Sequence, residues 1–421
     1  MKFRNIGQMF LATVTSLGLC LGVTSCSNSF TVGFLYVTAV STSNGATGQI
    51  SGFKINNNTG QLTFIKQGPW GSGGINPIRA VVFPGGRFMY VLNEKPSDTA
   101  GGNISLYTIG ATGVLSYQTS YSSQGVQPVS IAVGNNNTNF IYVLDKKVVD
   151  KNGNEVNNGN GAITAFAVDT NTGRLSLIEN QQVINPDGSL LPYFPVGANP
   201  IAFGPINESA IVGGYIYTVD GDQSVFPYQF NPLNGQLTVT QNGPQPTGAK
   251  NITVIGGNTA YVYLLDSGTT PSTILPYTRG TGGLLQTVTS GTVQNDPTVT
   301  NPSDLVVDSK GVRLYIANYG PNTDPTNPAS AISAFSILST GQLTEIGGSP
   351  FAAGTFTSGP QPVCILEDPS NQYIYTGNSA ASTVTGAKID SNTGVLTALP
   401  RGSQWATVGN PTWCVATGVP Q

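Results

Sequence analysis

The first fact about the chemistry of this chain is a missing residue type: none of its 421 residues is histidine. Activation of Ser or Cys by imidazole, His-ligated zinc and every imidazole base are thereby excluded, leaving carboxylates, Lys, Tyr or a bound metal for any catalysis. Asp220 and Asp222 form the best-spaced carboxylate pair, and their oxygens suit a divalent cation such as calcium; no other cofactor is expected. Asp220 or Glu94 would serve as a base, with Arg79 polarising a carbonyl. Lys95 and Lys250, like Arg79, would meet an anionic ligand, or stand as lone surface charges. Trp70 and Trp405 lie six and five residues before Asn76 and Asn410, where an indole either stacks on a sugar or packs between sheets. A calcium-loop resemblance starting at Asp150 fails, because its sixth residue is Glu155 and its twelfth is Gly161. The glycines at 71–74 precede neither a helix nor a Lys, so no phosphate cradle is read there.

The elements that must position these residues repeat. Only 9% of the chain is charged, and 53 Gly with 28 Pro argue against a helical protein. Tyr-centred apolar strands fall at 34–37, 88–92, 140–144, 215–219, 260–265, 313–317 and 373–376, and seven Gly-x-Leu hairpins follow them, at Gly60, Gly113, Gly173, Gly235, Gly283, Gly341 and Gly394. From Tyr36 to Tyr375 the mean period is about 56 residues, enough for four short strands and their turns. Pro-led strands open at Pro77, Pro128, Pro200, Pro302 and Pro362, with a Pro-less version at 250–255. The first repeat lacks one, and an extra copy stands at 410–416. A ring made from a linear chain must join its ends, so this order predicts an all-β, seven-bladed propeller of four-stranded blades, closed by a carboxyl-terminal strand that completes the first blade. A further recurrence, Tyr-x-x-Asn/Asp, pairs Tyr90 with Asn93, Tyr217 with Asp220 and Tyr315 with Asn318, and reads as an Asx-type cap where the second strand leaves its sheet.

The amino end reads as an address. Lys2 and Arg4 precede an uncharged apolar run at 9–23, which has the n-region and h-region of a secretory signal and is short for a membrane span. The run ends in Val23-Thr24-Ser25-Cys26, which resembles a bacterial lipobox. The expected organisation is a signal peptide at 1–25, a lipidated linker at 26–32 anchored through Cys26, and a propeller at 33–421. The alternative is an ordinary cleaved signal with an incidental cysteine. Cell-envelope export follows, with Ser27 in place of Asp leaning toward the outer membrane by resemblance to enterobacterial lipoproteins. The mature chain would hold 15 basic and 20 acidic residues, a net charge of −5, with no basic cluster for nucleic acid. It would reach the membrane through its lipid, meet an envelope protein or glycan, and be a monomer. Cys364 and Cys414 remain as an even pair in an oxidising compartment. They lie two and three residues after Pro362 and Pro411, so on aligned inner strands they point to opposite faces, as stacked neighbouring blades require for a disulfide. Two separately buried thiols are the alternative.

The segments Pro84-Gly85-Gly86-Arg87-Phe88-Met89-Tyr90-Val91-Leu92-Asn93, Ile332-Ser333-Ala334-Phe335 and Asn171-Thr172-Gly173-Arg174-Leu175 resemble the seven-bladed lactonase family, which includes 6-phosphogluconolactonase-type enzymes, and the related YVTN-type propellers. The resemblance spans residues 33 to 418 and implies a channel-mouth site of His, Arg and Glu. Here no residue supplies the His. The Arg that follows the strand-ending Asn in relatives is Glu94, and the Pro-Arg-Gly of inner strands survives only in part, at Pro77 and Arg79. The catalytic set is therefore not carried over. Two readings follow: a tethered binding propeller, which the missing acid–base groups favour, and a hydrolase opening a sugar-type lactone.

Overall fold

The computed structural model describes residues 30–41, 46–95, 101–134, 138–149, 154–184, 187–209, 213–240, 243–289, 291–320, 330–351 and 359–420. Residues 1–25, Cys26 and most of the 26–32 linker lie outside the described residues, as do residues 150–153 of the calcium-loop resemblance. The first strand begins at Thr31, two residues before the expected start of the propeller, because Thr31 still pairs with Asn56.

Seven antiparallel sheets of the repeat stand in a ring, accompanied by one small hairpin, Asn180–Ile184 with Leu190–Leu191. In blade 2 the order from the centre outward is Ile75–Val82, Phe88–Lys95, Asn103–Ile109 and Leu115–Ser122. The other inner strands are Gly125–Val133, Ala202–Ser209, Ile252–Gly257, Pro302–Val307 and Pro362–Glu367 for blades 3 to 7. Blade 1 is built from both ends of the described chain. Asn410–Gly418 is its inner strand and runs antiparallel to Thr31–Val40, with Val37 opposite Cys414. Each inner strand packs on the next, and the strand of blade 7 packs on Asn410–Gly418, so the ring is closed. Five blades add a short strand paired to their third strand, which the four-strand reading does not contain; Trp70–Gly71 and Gln404–Ala406 are two of these.

The core lies between blades. Seven apolar clusters occupy the seven blade-to-blade interfaces, for example Leu35, Val37 and Phe53 of blade 1 against Tyr375 and Val384 of blade 7. This is why inner and second strands carry apolar runs without polar alternation: both of their faces are covered. Each fully buried Leu, Ile or Phe contributes about 1.5–3 kcal/mol.

Polar bonds tie the blades together in register. Tyr36 Oη donates to the Gly113 carbonyl of the next blade at 2.8 Å, Tyr90 to Gly173 at 2.6 Å, Tyr142 to Gly235 at 3.3 Å, and Tyr217 to Gly283 at 3.0 Å. Tyr315 donates to Gly394 at 2.9 Å and Tyr375 to Gly60 at 2.6 Å. The two recurring marks of the sequence, the Tyr strand and the Gly-x-Leu hairpin, are thus donor and acceptor of one inter-blade bond. The exception is Tyr263, whose hydroxyl is buried without a partner. Glycine is required at the acceptor. Gly60 has φ +65°, and a Cβ there would sit 2.5 Å from the Tyr373 ring.

Hydroxyls also bridge neighbouring inner strands. Thr253 Oγ1 donates to the Pro302 carbonyl at 3.0 Å, and Ser303 Oγ to the Pro362 carbonyl at 2.6 Å. The equivalent residue of blade 7 is Val363, which has no hydroxyl. At that seam Cys364 and Cys414 are bonded, with Cα atoms 5.8 Å apart.

Candidate functional site

The inner strands bulge just after their leading residue, between Pro77 and Arg79, Pro302 and Asp304, and Pro362 and Cys364. The residue beyond the bulge then faces the partner that precedes the strand-ending Asn or Asp: Arg79 opposite Leu92, Ser130 opposite Leu144, Asp304 opposite Ala317. In blade 1 this place belongs to Trp413, opposite Thr38. One level of the ring therefore brings together Arg79, Ser130, Asp304 and Trp413.

The Arg79 guanidinium lies over the Trp413 ring, 3.9 Å from its centroid. Cation–π attraction holds it there. Arg79 donates no hydrogen bond to the described residues, so its N–H groups stay free along the channel. Burial lowers its pKa, and the charge of Asp304 opposes that. Asp304 is 7% exposed. Its Oδ2 accepts the Ile365 amide of blade 7 at 2.9 Å. Burial raises its pKa to about 6, against the pull of Arg79 and of the Ile365 and Leu305 amides. The two charges, on blades 2 and 6, attract without forming a direct ion pair. The arrangement offers a guanidinium, an aromatic wall and a carboxylate whose pKa burial raises.

Asp220 lies elsewhere, at the end of the second strand of blade 4. It is buried, its Oδ1 has no hydrogen-bond partner, and a Cβ on Gly197 would fall 1.7 Å from its Oδ2. Burial and then the charge of Asp222 push its pKa up to about 7, with Thr218 beside it opposing weakly. Asp222 is exposed, and its Oδ1 caps the Ser224 amide at 2.9 Å. The pair is thus split between interior and surface, and no group of three or more metal-ligating side chains exists among the described residues. The other members of the Tyr-x-x-Asn/Asp series do structural work. Asn318 donates to Ser333 at 2.9 Å and Asn378 to Thr385 at 2.7 Å, while Asp266 accepts the amides of Lys250, Asn251 and Gly268.

The remaining candidates are spread out. Glu94 is exposed and accepts Asn76 Nδ2 at 2.7 Å. Lys95 ends the same strand, exposed, and Lys250 is exposed with only its backbone amide engaged, by Asp266. Trp70 and Trp405 occupy equivalent short strands, paired to Ile50 and Val384, and pack near Tyr36 and Tyr375 at 6.4 and 6.5 Å between ring centroids. Their rings serve blade packing. Asp304 and Trp413 carry no motif of their own; the two-residue offset from Pro302 and Pro411, shared with Arg79 and Pro77, is the signal that finds them.

A closed seven-bladed propeller with one polar level in its channel is the class that this geometry defines. Residues 212–416 match the family described as Lactonase, 7-bladed beta-propeller, and in fold the chain is similar to the lactonase propellers. No curated protein matches it in sequence. Among solved structures, a 6-phosphogluconolactonase candidate from Bacteroides uniformis aligns with a TM-score of 0.68 and 15% identity, over 92% of this chain and 100% of its own. A second candidate of that name, from Bacteroides fragilis, gives 0.66 and 18%, over 94% and 99%. The periplasmic gluconolactonase of Pseudomonas aeruginosa gives 0.64 and 16%, over 92% and 100%. At these identities the likeness is one of fold.

Proposed function

We propose that the protein is a lipid-anchored propeller of the cell envelope, exported by residues 1–25 and tethered through Cys26, whose channel binds a small organic anion on Arg79. The observation that carries this reading is the guanidinium over the Trp413 ring, with no hydrogen-bond acceptor among the described residues. A half-buried arginine held by an aromatic face and with no acceptor among the described residues is set up for a carboxylate or phosphate ligand. The names of the similar structures point to sugar acids as the ligand class. Titration with gluconate and 6-phosphogluconate tests it: binding that weakens about tenfold or more in Arg79→Ala supports the reading, and unchanged binding overturns it. Labelling of the exported protein by radioactive palmitate, lost in Cys26→Ala, tests the anchor.

Asp304 favours a second reading, hydrolysis of a sugar-type lactone. A carboxylate with a pKa of about 6, in the field of Arg79, would act as a base on water while the guanidinium polarises the carbonyl. A lactone panel assayed with and without calcium, manganese and EDTA separates the two. Turnover that disappears in Asp304→Asn would replace the binding reading.

A further inference from the structure

Each of the seven blades carries a carboxamide at the residue that leads into its inner strand. In blades 2, 4 and 6 it is Asn76, Asn199 and Asn301; in blades 3 and 7 it is Gln127 and Gln361; in blades 1 and 5 it is Asn410 and Asn251. All but Gln361 are exposed, and together they ring one mouth of the channel, one step above the level of Arg79. Backbone conformation does not account for the residue type. Five of the seven have positive φ, from 48° at Asn199 to 57° at Gln127, a region that glycine and asparagine fill most readily and glutamine does not favour. Asn251 and Asn410 lie outside that region and are amides all the same. No blade uses glycine there, although the chain has 53. The shared property is the neutral amide.

Four of the amides are held by the protein. Asn76 donates to Glu94 at 2.7 Å, Asn251 to Ser267 at 2.8 Å, Asn410 accepts from Ser382 at 2.9 Å, and Gln361 from Ser379 at 3.4 Å. The side chains of Gln127, Asn199 and Asn301 make no hydrogen bond among the described residues. Each presents two donors and an acceptor at the channel entrance with no charge. Vicinal hydroxyls alternate donor and acceptor in the same way, so the three amides match them as partners.

We propose that this collar is a carbohydrate subsite: the free amides of Gln127, Asn199 and Asn301 bind the hydroxyls of a neutral saccharide entering the channel. The proposal deepens the binding reading above and rests on it for the choice of face. It is tested with the full-length folded protein titrated against maltotetraose, cellotetraose and chitotetraose by calorimetry, in parallel with gluconate. Glycine is the substitution of choice, because it keeps the left-handed backbone at each position while removing the amide. Millimolar or tighter binding of at least one tetrasaccharide, weakened about tenfold or more in the combined Q127G, N199G and N301G variant, is expected from the loss of several hydrogen bonds. Lys388→Ala, an exposed change in the third strand of blade 7, should leave that affinity within about twofold. If the triple variant does not fold by circular dichroism, each single variant should weaken binding about threefold. Absence of saccharide binding by the wild type, or equal binding by folded variants, overturns the collar. Loss of gluconate binding in Arg79→Ala bears on the anion reading alone, so the two fail separately.

Discussion

The hydroxyl of Tyr375 in blade 7 donates to the carbonyl of Gly60 in blade 1 across 2.6 Å and 315 residues of chain. It repeats at the ring's closing seam the bond that Tyr90 makes to Gly173 between ordinary neighbours. The seam is therefore held by the same device as the rest of the wheel, reinforced by the Cys364–Cys414 bond.

Removing one such hydroxyl leaves a buried carbonyl unsatisfied. Tyr375→Phe is expected to cost about 1–3 kcal/mol in urea denaturation. Tyr263→Phe is the internal control, since its hydroxyl has no partner to lose, and it should be neutral or slightly stabilising. Equal losses in the two variants would refute the stapling role.

The cystine closes a loop of 50 residues. On the chain-entropy account, Cys364→Ala with Cys414→Ala should cost about 2–4 kcal/mol. Denaturation with and without dithiothreitol should show the same difference in the wild type and none in the double variant. A non-reduced digest analysed by mass spectrometry should contain the 364–414 linked peptides, and two alkylatable thiols in the folded protein would contradict this.

Asp220 makes stability depend on pH with a definite sign. Its folded pKa of about 7 lies above the value of an unfolded Asp, so the native state binds the extra proton. The resulting stabilisation is complete below about pH 4 and is lost as pH rises to about 7. Asp220→Asn should gain about 1–3 kcal/mol relative to wild type at pH 8 and nothing at pH 4. Urea midpoints measured between these limits check it; a gain that is the same at both ends would show that folding does not shift the Asp220 pKa.

On the binding reading proposed above, Trp413 acts on the anion through Arg79. Trp413→Leu keeps the charge but removes the surface on which the guanidinium lies, and gluconate affinity should fall about threefold to tenfold. Trp70→Leu, in a ring that packs within the blades, should alter stability and leave the affinity of the folded protein unchanged. The reverse pattern would move the site outward.

The fold was legible because a propeller writes its architecture seven times, and its closure because one strand is displaced to the other end of the chain. The pairing of the Tyr strands with the Gly-x-Leu hairpins was not legible, although both marks were visible. Tyr36 and Gly113 are 77 residues apart, and no period states which blade a hydroxyl reaches. Arg79 could be picked out by its place after Pro77. Asp304 and Trp413 share that place but not the residue type, so they become a site only when the ring sets them at one level. Asp220 and Asp222 show the converse. Their spacing suggests a joint role, and the turn between them sends one carboxyl inside and leaves the other in water.

The pairing of Thr31–Val40 with Asn410–Gly418 also sets a timetable for assembly. Until the chain has emerged as far as Gly418, the earliest strand has no inner partner and the cysteine at 364 has no mate. A cell making this polypeptide must shelter an open sheet edge until nearly all of it has been synthesised, and the wheel locks only when its last spoke arrives.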